Sequence, residues 1–294
     1  MQVFDVNNWR QLERFSRFRW IYRGQNHQKY DLRTTLERCL RRAGVETTKY
    51  REVEEALIRE FRRAYHQYAA HVPDAKHRME WLALMQHHGA PTRLLDFSHS
   101  LYVATYFAVE EANDDDPNGF TEVWAVNAPW AAQQSAINLE AAGHHSDVIE
   151  KFLRNPLYDE GREEHAMSLF FDDDKQVRLA CPVNPSRHNE RLRTQKGIFL
   201  IAGSMEHSFM DNLVTMSGFD DAKNIVVIKI PNSLRLSFLK RLHEINIGRT
   251  SLFPGLDGFA RSLCVFSPAY HMKSQWIKRK SNGQWVVNPA KLPF

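Results

Sequence analysis

The sequence predicts an α+β fold, a single mixed β core decorated by helices and carrying an irregular insertion. Three observations lead there. The runs Trp20–Tyr22, Thr92–Phe97, Thr121–Val126, Gly197–Ala202 and Asn224–Ile230 have the length and the apolar, partly β-branched make-up of strands. Residues 47–72 place Val53, Ala56, Leu57, Phe61, Ala64, Tyr65, Tyr68 and Val72 on one helical stripe. Strands and helices do not alternate strictly, and no repeat or Pro- or Ser-rich linker divides the chain, so residues 1–294 read as one domain.

Each element has a local reason. Trp9, Leu12, Phe15 and Phe18 recur at helical spacing across residues 7–19. The strand Trp20-Ile21-Tyr22 ends in Arg23-Gly24-Gln25. Thr47 or Thr48 caps the 47–72 helix and Pro73 ends it. Residues 76–88 form a second helix, stopped at Gly89. The strand Thr92–Phe97 leads through Ser98-His99-Ser100 into a helix over Leu101–Ala112. Asn113–Gly119, with three consecutive Asp and a Pro, is a surface turn. Residues 128–178 are polar and low in aliphatics, include the run Asp172-Asp173-Asp174, and read as an insertion or flexible arm. Pro231 opens a helix at its first position, over Ser233–Glu244. Leu252–Leu263 is a Pro/Gly turn followed by a short helix, and Asn282-Gly283 marks a final hairpin.

Composition narrows the function. With 43% hydrophobic residues the 294-residue chain can build a sizeable core. No apolar run approaches the ~18 residues of a membrane span, and the N-terminus lacks the apolar stretch of a signal peptide. Three widely spaced cysteines, Cys39, Cys181 and Cys264, suit a reducing cytoplasm better than a disulfide frame. The net charge of +4 is unevenly spread: residues 1–63 hold 15 Lys and Arg against 9 Asp and Glu. Such a basic third either meets phosphate groups or forms a solvated helix face. No HExxH, CxxC, phosphate loop or nucleophile-elbow motif occurs, and neither His pair has metal-ligand spacing, so no metal site is expected.

Several residues can carry chemistry. Arg23, at a strand end before Gly24, can fork onto a phosphate or ribose oxygen, and Gly24 would let a ligand approach the backbone. The alternative for Arg23 is a surface pair. Arg93 and Asp96 can pair with each other and brace their turn. Ser98 and Ser100, two apart on extended chain, face one side and can hold a ribose; Ser100 is equally suited to cap the next helix. Gln195, before a buried strand, can orient a substrate hydroxyl, and Glu190 is a candidate base or a solvated carboxylate.

Four segments, in order, resemble the FRG domain family: Tyr22-Arg23-Gly24, Gln86–Asp96 with Ala104–Ala108 behind it, Gln195–Phe199, and Leu252–Gly258. The resemblance implies a divergent ADP-ribosyltransferase layout, with NAD as substrate and nicotinamide displaced from C1 of its ribose. On that reading Arg23, Gln195 and Glu190 are the catalytic candidates. Tyr22, Arg23, Gly24, Gln25, Thr92, Arg93, Asp96, Ser98, Ser100 and Phe107 would line the NAD pocket, with Tyr22, Tyr106 or Phe107 stacking on nicotinamide. The resemblance further implies a mono-ADP-ribosyltransferase acting as a bacterial toxin or phage-defence effector. The basic N-terminal third and the many aromatics suit a nucleic acid as acceptor, RNA favoured over DNA, with a protein as the alternative, and a toxin would need an inhibitory antitoxin as partner. The alternatives are a nucleotide- or nucleic-acid-binding module without chemistry, and a nuclease using Asp96 with His87 or His99.

Overall fold

Seven strands build one sheet: β1 (Gln2–Asp5), β2 (Trp20–Gln25), β3 (Leu94–Ser98), β4 (Phe120–Asn127), β5 (Ala180–Val183), β6 (Gly197–Ala202) and β7 (Ile225–Pro231). Their order is β1-β7-β4-β2-β3-β6-β5, with β1 parallel to β7 and every other pair antiparallel. This computed structural model describes residues 1–26, 31–69, 72–112, 116, 118–147, 149–150, 170–171, 175–185, 187, 189–271, 277–279 and 284–287. The α+β class predicted from the sequence is what the structure shows.

Register gives the sheet its opening. β2 pairs with β4 from Trp20↔Asn127 to Gln25↔Glu122, and β3 pairs with β6 from Leu94↔Ile201 to Ser98↔Gly197. Between β2 and β3 the register holds only at Tyr22↔Ser98. Beyond that point the two central strands part, and the backbone groups on the facing edges need other partners.

The helices cover both faces. One face, built from Ile21, Phe97, Trp124, Leu200 and Val227, packs against Trp130 of α6 (Ala128–Ala141) and Phe209 and Leu213 of α8 (Phe209–Val214). The other face holds two separate clusters. Over β2, β4 and β7 lies α5 (Leu101–Val109), apolar around most of its circumference and correspondingly buried. Over β3, β5 and β6 lie α3 (Tyr50–Tyr65) and α4 (Arg78–His87). The described residues also form six further helices and a hairpin. They are α1 (Trp9–Glu13), α2 (Thr35–Arg42), α7 (Glu190–Thr194), α9 (Arg235–Glu244), α10 (Arg249–Leu252), α11 (Leu256–His271), and the hairpin β8 (Ile277–Arg279) with β9 (Trp285–Val287).

Several expectations change. The helix expected over 7–19 shortens to Trp9–Glu13, and the chain runs on through turns to Arg19, whose left-handed backbone (φ 63°) precedes β2. The 47–72 helix ends at Tyr65 and begins with a 3-10 turn, Thr47–Lys49. Pro231 closes β7 instead of opening a helix, and a 3-10 turn, Asn232–Leu234, separates it from α9. Within the stretch read as an irregular insertion, residues 128–141 form α6, capped by the Asn127 side chain and anchored by buried Trp130 and Leu139. The run Asp172-Asp173-Asp174 and most of the Asn113–Gly119 turn lie outside the described residues. Among the described residues no helix is long and apolar enough to cross a membrane.

Candidate functional site

The parting of β2 and β3 opens a cavity of about 510 Å³. Its walls come from β2, β3, α2, α5 and α7. Five arginines line it, Arg23, Arg33, Arg38, Arg42 and Arg191, against three carboxylates, Asp31, Asp96 and Glu111. A cleft with that balance of charge favours anions.

Arg23 marks the opening. Where the ladder stops, the Asp96 carbonyl on β3 loses its strand partner, and the Arg23 guanidinium donates to it from β2 (Nη1 to O, 2.7 Å). The same nitrogen lies 3.9 Å from Asp96 Oδ2. Arg23 Nε and Gln25 Oε1 are buried without hydrogen-bond partners. Burial pulls the Arg23 pKa below its usual value, the Asp96 charge opposes that, and nearby Arg38 adds to it. This wall therefore presents a cation, a spare N–H donor and a spare amide acceptor that a ligand or water must satisfy.

Asp96 is held from the other side. Thr92, fully buried, donates its hydroxyl to Gln86 Oε1 (2.5 Å), which turns the Gln86 amide nitrogen toward Asp96 Oδ2 (2.7 Å). The carboxylate is thereby fixed while its side chain stays 54% exposed to the cavity. The expectation that Arg93 pairs with Asp96 is wrong. Asp96 is left to Gln86 and Arg23, because Arg93 precedes β3 and its side chain runs into the core toward Glu54 of α3. There its Nε donates to Glu54 Oε2 (2.6 Å) and its Nη1 to the Phe170 carbonyl (3.1 Å), and its guanidinium stacks 4.5 Å from the Phe171 ring. Arg93 and Thr92 thus support the site without lining it.

Other expected roles also shift. A Cβ on Gly24 would collide with the Ala104 carbonyl and the Ala108 amide of α5. The close approach that Gly24 allows is therefore made by a helix, and the Tyr22-Arg23-Gly24 and Ala104–Ala108 motifs are two sides of one packing contact. Tyr22 is buried in the core with its hydroxyl donating to the Phe15 carbonyl (2.8 Å) and accepting from the Arg17 amide (2.8 Å), so it cannot swing out to stack on a ligand. Tyr106 is buried too and donates to Glu110 (2.7 Å). Phe107 does line the cavity, edge-on to Phe253 at 5.9 Å.

Ser98 lines the cavity, but its hydroxyl is in use: it donates to the Gln195 carbonyl (2.7 Å) and accepts from the Ser100 amide (3.0 Å). Ser100 caps α5 by accepting from the Val103 amide (3.3 Å). Gln195 reaches the cavity, yet its side-chain nitrogen donates to the Leu252 carbonyl (3.0 Å), tying α7 to α10. Glu190, at the other end of α7, lines a neighbouring cavity of about 370 Å³ with His87, Arg249 and Phe253. Arg191 lines both cavities. In the second, Phe253 sits between the guanidiniums of Arg191 (4.8 Å) and Arg249 (4.7 Å), and Arg249 pairs with Glu110. Among the described residues no group of three or more His, Cys, Asp or Glu could hold a metal ion.

Sequence reasoning missed Arg33, Arg38, Arg42 and Arg191, and treated Gln86 only as part of a motif. A signal for α2 was present: Thr34 caps at the Glu37 amide, and Leu36 and Leu40 recur one turn apart, which leaves Arg38 and Arg42 one turn apart on a polar face.

Comparison with known proteins matches residues 18–117, about a third of the chain, to the FRG domain. That stretch includes β2, α2 to α5, β3 and the Arg23 and Asp96 wall of the cavity. No curated protein and no solved structure matches the chain.

Proposed function

We propose that the arginine-lined cavity binds NAD and that the protein transfers ADP-ribose from it to an acceptor. The observation that carries this reading is the wall at the strand opening, where Arg23 and Gln25 offer unsatisfied polar atoms beside the Asp96 carboxylate. The cavity volume of about 510 Å³ falls within the ~300–1,000 Å³ usual for ligand pockets. Arg23, Arg38 and Arg42 would hold the diphosphate, since planar guanidiniums bind phosphate in forked pairs.

In the reaction, the bond from ribose C1 to the nicotinamide nitrogen breaks and its electron pair stays on that nitrogen, which becomes neutral. An acceptor oxygen or nitrogen bonds to C1 and gives its proton to a base. The transition state is oxocarbenium-like, as in glycoside cleavage. Asp96, fixed by Gln86 and open to the cavity, is the carboxylate placed to stabilise that cation and to take the proton. It replaces Gln195, whose amide is engaged, and Glu190, which faces the other cavity. A toxin or phage-defence role would follow from this activity and should appear as growth arrest on expression.

A second reading is a nucleotide-binding module without turnover, favoured by the engagement of the Gln195 amide with Leu252. Calorimetry with NAD, beside an assay for released nicotinamide, separates the two. Transferase activity predicts binding and release by the wild-type protein, and in Asp96→Asn at least ~100-fold slower release with binding retained. Binding with no release selects the module, and no binding at all removes both.

A further inference from the structure

The other end of β2 carries a second surface. In the turn before Trp20, Phe18 is 88% exposed, an unusual position for a large apolar ring. The Arg19 guanidinium lies 5.3 Å from the Phe18 ring, and that of Arg17 lies 4.6 Å from the Trp20 ring. Arg17 is also anchored to the Ala222 carbonyl (3.2 Å). The turn is pinned from below by the Ala128 amide, which donates to the Arg19 carbonyl (3.2 Å).

Beside it, the His99 amide donates to the Lys196 carbonyl (2.9 Å). Arg19 (φ 63°) and Lys196 (φ 48°) are two of the three non-glycine residues with left-handed backbone among those described. Such conformations cost energy and persist where surrounding contacts hold them. The concavity here, about 700 Å³, is lined by Arg17, Phe18, Arg19, Trp20 and His99 with no carboxylate.

We infer that this patch binds single-stranded nucleic acid, with a base stacked on Phe18 and its neighbouring phosphates on Arg19 and Lys196. An exposed ring among guanidiniums, with no opposing charge, matches a chain of stackable bases on a polyanion. A duplex keeps its bases stacked inside and offers no face to Phe18. Ser98 and Gln195, which line the arginine cavity, immediately precede His99 and Lys196 in the chain, so a strand on this patch would lie close to that cavity. If the NAD reading holds, that strand is the acceptor.

The test is fluorescence anisotropy with labelled oligonucleotides of about 12 nucleotides, within the usual site sizes. Single-stranded RNA, single-stranded DNA and a duplex are measured at two salt concentrations. The wild-type protein should bind single strands, with the tighter of RNA and DNA naming the source, and bind the duplex weakly. Phe18→Ala should weaken binding by ~10-fold or more without lowering the melting temperature, since the ring is 88% exposed. Arg19→Gly and Lys196→Gly, which suit left-handed backbone, should each reduce the salt slope by about one. No single-strand binding, or equal binding by Phe18→Ala, overturns the inference. Nicotinamide release, measured on the same samples, reports on the NAD cavity separately.

Discussion

Arg93, buried, and Arg23, half-buried, each sit beside a carboxylate, and they differ in what surrounds the pair. Arg93 and Glu54 are 3% and 0% exposed, and the guanidinium is further bound to a carbonyl and stacked on a ring. Arg23 binds the Asp96 carbonyl at 2.7 Å but reaches its carboxylate only at 3.9 Å, keeps an unsatisfied Nε, and faces a carboxylate that is 54% exposed. The first guanidinium is closed, with a partner at each of its three nitrogens, although Glu54 Oε1 is itself buried without one, and the pair serves the fold. The second is open and can be completed by something else. Burial by itself therefore does not single out an arginine as a ligand-binding candidate; an unfinished set of hydrogen bonds at a cavity wall does.

The largest effect expected from breaking this comparison is at Arg93. Arg93→Leu should destabilise the protein by about 3–5 kcal/mol in urea unfolding, because Glu54 is left buried and unpaired. Changing Glu54 to Leu as well should recover much of the loss, as an apolar pair of similar volume needs no partner. If the single variant is as stable as the parent, Arg93 and Glu54 are not the closed pair described. Arg23→Ala should cost only about 1 kcal/mol, the worth of its bond to the Asp96 carbonyl. Its NAD affinity should nonetheless fall by ~10-fold or more in calorimetry. Equal losses of stability at the two sites would erase the distinction.

The smallest effect is on pH. Burial, aided by His88 and Arg191, lowers the His87 pKa; burial, aided by Lys196, lowers that of His99. Both folded values lie below the ordinary ~6.5, so the unfolded chain binds more protons as the solution acidifies. Their contribution is complete above about pH 6.5 and is lost as pH falls through the folded values. Melting temperature should drop modestly between about pH 7.5 and 5.5, and less so in His99→Asn. The drop should be unaffected by Arg93→Leu, since neither histidine touches that pair.

Much of the fold was legible because its elements carry their own periodicity. β6 runs over Gly197–Ala202 as expected, and α4, β3, α5, β4 and β7 lie within a few residues of their expected spans. The edge strands β1 and β5, four residues each, are too short to show alternation, and α2 carried a signal that composition alone obscured. Of the site, Tyr22, Arg23, Gly24, Gln25, Asp96, Ser98, Phe107 and Gln195 do line the cavity, whereas Arg93, Thr92 and Ser100 were given ligand roles that neighbours in space had already taken.

The sequence by itself determined the α+β class, the central strands and helices, and the motifs that build the Gly24–α5 contact and the Thr92–Gln86–Asp96 chain. These depend on spacing within one segment or on short residues where backbones meet. Tertiary structure alone decided which arginine is closed and which is open. Glu54 lies 39 residues from Arg93, and the Asp96 carbonyl lies 73 residues from Arg23. The first depends on α3 packing against the start of β3, and the second on the edge left unpaired when β2 and β3 part beyond Tyr22 and Ser98.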